Sequence, residues 1–143
     1  MTVAGGRRGL RAVAVALGAA LGGCGGGLTL PDLMAVQRSG STPGANLQLV
    51  VNDAGTARCN RGPAVAISDP QLLQARALAR DLHDPAKHGL TLAPGAAPVL
   101  HYDVRTADGQ VSFSDDSAGQ PAVLFSVALL VRQIAQQDCH LPR

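Results

Sequence analysis

The run Leu100-His101-Tyr102-Asp103-Val104-Arg105 alternates apolar and polar residues. Asp108-Gly109 follows shortly after, and the alternation resumes at Val111 and Phe113. Leu100, Tyr102 and Val104 therefore share one face of a strand, and His101, Asp103 and Arg105 the other. Asp-Gly suits a tight hairpin turn. A hairpin with one apolar face is unstable alone and needs a cover, so the rest of the chain must supply one. "LMAVQRSG" predicts a strand over Leu33 to Arg38, and "STPG" breaks it at Pro43 and Gly44. Leu47, Leu49 and Val51 alternate again, Asp53-Ala54-Gly55 turns, and Thr56 to Cys59 returns. At "ISDPQLLQARALARDLHDP" the period changes. Ser68 caps a helix with Gln71 three places on, and Pro70 fits its first turn. Leu72, Ala75, Ala79 and Leu82 form its apolar stripe, and Pro85 limits it. "KHGLTLAPGAAP" reads as loop, and Ala122 to Gln136 as a last helix with Leu124, Val127, Ala128, Val131, Ile134 and Ala135 inward, broadened by Leu129 and Leu130. The expected order is β-β-β-α-β-β-α. This is an α+β domain, a mostly antiparallel sheet with two helices packed on one face.

The beginning of the chain has a different character. Arg7, Arg8 and Arg11 form a basic head, Ala12 to Leu21 carry no charge, and Leu21-Gly22-Gly23-Cys24 follow. The three parts have the order of an export signal, and the apolar run is shorter than the roughly 20 residues a membrane-crossing helix needs. The last four residues resemble the lipobox of bacterial lipoproteins. That resemblance implies a diacylglycerol on the Cys24 thiol and cleavage before it. Residues 1–23 would then be a signal peptide, 24–31 a lipidated flexible tether rich in glycine, and 32–143 a single small domain. It also implies a protein exported and lipid-anchored to the outer face of the cell membrane or to another envelope membrane. Two acyl chains hold a protein stably, since each buried CH₂ contributes roughly 0.8 kcal/mol.

Charge follows from that division. Loss of three arginines takes the basic count from 12 to 9 against 10 acidic residues, so the formal charge of the remainder is −1 in place of +2. Without a basic stripe or aromatic ladder, nucleic acid is not an expected partner. With Cys24 assigned to lipid, Cys59 and Cys139 are left as an even pair in an exported chain, which favours a disulfide.

Catalytic chemistry finds little support in the residue spacing. His83, His88, His101 and His140 make no HExxH or HxH pattern, and neither cysteine has the neighbours of a zinc site. No metal or cofactor is expected. His101 and Asp103, with Ser112 and Ser114 if the register allows, share a strand face that alternation alone explains. Asp115 and Asp116 read as a solvated turn without calcium-loop spacing.

Arg38, Ser39, Gly40 and Gly44, with the order of elements across 33–137, resemble the small bacterial inhibitors of thermolysin-like metallopeptidases called emfourins. The resemblance implies a shared fold and a partner contact at Arg38–Gly44, where Arg38 could pair with a carboxylate. The expected function is a membrane-anchored, non-enzymatic binding or accessory module of the bacterial envelope, its partner an envelope protein or peptidase. The alternatives are inhibition of a thermolysin-like metallopeptidase and a small envelope enzyme using His101 and Asp103.

Overall fold

The computed structural model describes residues 1–2 and 31–142. Residues 3–30, which hold Cys24, most of the expected signal peptide and all but the last residue of the expected tether, lie outside the described residues. The strands are β1 (Asp32–Gly40), β2 (Leu47–Asn52), β3 (Thr56–Cys59), β4 (Ala64–Ala66), β5 (Leu100–Thr106) and β6 (Gly109–Ser114); the helices are α1 (Asp69–Asp81), α2 (His83–Lys87) and α3 (Ala122–Gln137). The strands form one antiparallel sheet in the order β4-β3-β2-β1-β5-β6. β1, first in sequence, is thus a central strand, flanked by two hairpins.

Alternation decides which face is covered. Met34 and Val36 of β1, Leu47, Leu49 and Val51 of β2, Ala57 of β3, Tyr102 and Val104 of β5, and Val111 and Phe113 of β6 are all buried on the helix side. Against them lie Ala75 and Leu78 of α1, Leu82 just beyond it, Ala86 of α2, and Leu124, Val127, Leu130, Val131, Ile134 and Ala135 of α3. Tyr102 and Phe113 are register partners, with rings stacked 5.0 Å apart.

Three helices, not the expected two, cover the sheet among the described residues. Pro85 does not end helical structure. It is the third residue of α2, where its missing N–H falls on a group that has no intrahelical partner anyway. β4 was also unforeseen, since three residues are too few to display alternation. The predicted stripe of α1 is rotated: Ala75 and Leu78 are buried beside Gln71, while Ala79 and Leu72 are only half-buried. Gln71 is inward because it closes the capping box with Ser68 and also donates to Asp138 at the end of α3, 2.7 Å. The first half of the expected loop is not free either. Residues 90–92 run parallel along the outer edge of β6, with Ser112 N–H to Leu90 O and Leu92 N–H to Ser112 O, both 2.9 Å. That edge is therefore covered.

Cys59 and Cys139 are joined as a disulfide. The bond ties the end of β3 to the segment just after α3, so it staples sheet to helix layer.

Candidate functional site

Among the described residues, two of the places where polar side chains gather follow from strand parity. Arg38 continues the inward series Met34, Val36, so it lies on the helix side of β1, opposite Leu47 of β2 and Tyr102 of β5. At this end of the strand the core runs out, and a half-buried arginine meets the rim. Its Nε donates to the carbonyl of Ala45 at 2.8 Å and its Nη2 to that of Gly44 at 3.1 Å. The guanidinium thus braces the loop between β1 and β2. Within that loop Ala45 N–H bonds to Thr42 O, with Pro43 and Gly44 central and Gly44 at φ 78°, the arrangement a type II turn requires. Ser39 has the other parity and lies on the opposite face of the sheet, across from His101. Gly40 is inward again, and a Cβ there would come within 2.3 Å of the Val99 carbonyl. Of the four expected contact residues, Arg38 and Gly44 meet at one cleft, Gly40 lets two backbones approach, and Ser39 points away.

That cleft, about 200 Å³, is lined by Arg38, Pro43, Gly44, Leu100, Arg132 and Pro142 among others. No carboxylate is part of its lining, and among the described residues neither Arg38 nor Arg132 has an ion-pair partner. Both guanidinium groups act on the Tyr102 hydroxyl: burial raises its pKa, while Arg38 and Arg132 pull it down and Asp115 pushes it up. The sequence reading missed Arg132 and Tyr102. The signal for Tyr102 was available, since it pairs with Arg38 once the register is known; for Arg132 there was none, because its place depends on how α3 crosses the sheet.

The second place is the uncovered face of the sheet. The register sets His101 opposite Ser114, and Asp103 opposite Ser112. Ser112 Oγ donates to Asp103 Oδ1 at 2.6 Å and lies 3.1 Å from His101 Nε2; His101 Nδ1 lies 3.1 Å from Ser114 Oγ. With the imidazole proton on Nε2, the groups form one chain of donors, Ser114 to His101 to Ser112 to Asp103. In a nucleophilic triad the imidazole stands between serine and carboxylate and takes the hydroxyl proton. Here Ser112 stands between, its proton held by Asp103; His101 Nε2 also lies 3.6 Å from Asp103 Oδ1, but Ser114, the serine on the other ring nitrogen, is only 1% exposed and closed to a substrate. The nearby backbone donors are also committed, Ser112 N–H to Leu90 O and Ser114 N–H to Ser117 Oγ, so neither is free to stabilise an oxyanion. Beside this chain lies a shallow trough of about 340 Å³ over Ala35, Gln37, Gln48, Val50, Asp103 and Arg105.

Asp115 and Asp116 stand in a turn, as expected, with Asp115 exposed, but their carboxylates are also engaged. Asp116 accepts from the N–H groups of Gly95 and Ala97, and Asp115 from that of Val99. Both carboxylates pin the loop before β5. Among the described residues, no three His, Cys, Asp or Glu side chains gather as a metal site, and no helix is long and apolar enough to cross a membrane.

Compared with protein-family models, curated proteins and solved structures, the chain matches none. Its functional reading therefore rests on residues and geometry.

Proposed function

We propose that this chain is an exported lipoprotein, anchored through Cys24, whose folded domain is a non-enzymatic binding module of the bacterial envelope. The observation that carries the binding reading is the braced rim at Arg38: a loop held by Arg38, which lines a cleft with Arg132, neither having a carboxylate partner among the described residues. A surface that is ordered before a partner arrives loses less entropy on association.

Two further facts support the reading. The Cys59–Cys139 bond suits an oxidising compartment. The tether would enter at Asp32, which pairs with Asn52 at one end of β1, while Arg38 and Gly40 stand at the other end beside Leu47 and Leu100. The nine residues of β1 carry the chain about 26 Å, so strand direction separates the anchor from the rim. Inhibition of a thermolysin-like metallopeptidase is one specific form of this function. It would use the same loop, and stoichiometric inhibition by the purified protein tests it.

Cell fractionation tests the anchored reading. Wild-type protein is expected in the membrane fraction, and Cys24→Ser in the soluble exported fraction or as unprocessed precursor. Soluble wild-type protein, or membrane-bound Cys24→Ser with normal processing, contradicts it. Saturable turnover that disappears in a folded Asp103→Asn variant would replace binding with catalysis.

A further inference from the structure

We propose that the cleft between the β1–β2 loop and α3 binds an acidic peptide segment of another protein, its carboxylate held by Arg38 and Arg132 and its apolar neighbour resting on Leu129 and Phe125. This rests on the binding reading above and names the chemistry of the partner.

The cationic half of the site comes from two distant parts of the sequence. Arg38 is fixed by its bonds to Gly44 and Ala45, and Arg132 lines the same cleft from α3. A planar guanidinium already held in place loses little freedom when it pairs with a carboxylate. Asp115, the acid that acts on Tyr102 beside the arginines, accepts from Val99 N–H and serves the neighbouring loop.

The apolar half corrects the sequence reading of α3. Leu129 was expected to widen the buried side, yet it is 51% exposed, and Phe125 is 57% exposed. Phe125, Leu129, Arg132 and Gln136 follow one another at spacings of four, three and four residues, which places them along one helix face. Arg132 and Gln136 line the cleft, so Leu129 and Phe125 extend from it as an apolar strip. Val99, also exposed, precedes the cleft residue Leu100.

Arginines beside exposed apolar side chains would also suit an anionic membrane. The recessed shape favours a peptide: about 200 Å³ of cleft receives a side chain better than a flat headgroup layer. Its position agrees, at the end of β1 away from Asp32.

The test is selection from a random heptapeptide library on the full mature protein held in phosphatidylcholine nanodiscs. Selected peptides are expected to carry Asp or Glu next to Leu, Ile or Phe. A representative peptide should bind at least tenfold more weakly to Arg132→Glu, and its Asn or Gln isostere should lose the same factor on wild type. Arg132 is exposed on a helix, and Arg132→Gln, with unchanged circular dichroism, guards against a folding artefact. Three results overturn the proposal: no enrichment over Arg132→Glu, equal binding by the isostere, or binding of phosphatidylglycerol vesicles that Arg132→Glu abolishes while no peptide is selected. The first two of these results remove the cleft as the site yet leave a binding module.

Discussion

Tyr102 is the only tyrosine in the chain, and there is no tryptophan, so one phenol reports on the rim. Burial raises its pKa from 10.0, the two arginines oppose that shift, and the net direction is upward. The consequence for stability has a definite sign. Below pH 10 the phenol is neutral in both folded and unfolded chains. As pH rises through 10 the unfolded chain ionises first, so stability falls, by at most about 1.4 kcal/mol per pH unit, until the folded phenol ionises too. Ultraviolet titration should give a midpoint above 10 for the native protein and a return to about 10 in denaturant. A native midpoint at or below 10 contradicts this burial. Gly40 gives a second expectation at this scale. A Cβ would meet the Val99 carbonyl at 2.3 Å, with Ala45 Cβ and a Leu100 methyl each 3.0 Å away, which leaves little room to yield. Gly40→Ala should cost about 1–3 kcal/mol, read as a lower urea midpoint at unchanged slope. Loss of binding in that variant would therefore reflect a displaced loop, not a lost contact. Parity already places Arg38 with Met34 and Val36, so its inward direction was legible in the sequence. Its service to the Gly44 and Ala45 carbonyls was not, because that depends on how the following loop folds back.

The legible elements were those with a strong period or a cap. The β5–β6 hairpin alternates on both sides of Asp108-Gly109, and α1 carries a complete capping box at Ser68 and Gln71. β4 and α2 are too short to show a period, and Pro85 resembles a stop until its place in a first turn is known. Leu129 shows the limit of helical patterning: an apolar residue at the margin of a stripe can face core or solvent, and packing against α1 and the sheet decides. The disulfide followed from counting and from the expected export, since Cys59 and Cys139 are the pair that remains once Cys24 is assigned to lipid. Their separation of 80 residues predicts stabilisation of about 4 kcal/mol in the chain-entropy model. Denaturant unfolding with and without reductant checks it. A midpoint unchanged by reduction would mean that the sheet–helix packing holds without the staple.

At the scale of the molecule, the fold has a polarity that its likeness to a plain α+β domain conceals. Asp32, the β2–β3 turn and the β5–β6 turn share one end. Pro31 O accepts from Asp53 N–H, and Arg76 of α1 and His83 of α2 bind Asp53 and Asp108 there. The other end carries the Arg38 loop, the cleft and the C-terminal end of α3. A tether joined at the first end leaves the second free to meet a partner, which is why lipid attachment at Cys24 is the central claim. Intact-mass measurement of the protein isolated from membranes tests it most directly. The account predicts a mature chain beginning at Cys24 and bearing added acyl mass, with Cys59 and Cys139 linked. A chain beginning at another residue without acyl mass, or one that keeps residues 1–23 and an unmodified Cys24, would contradict it.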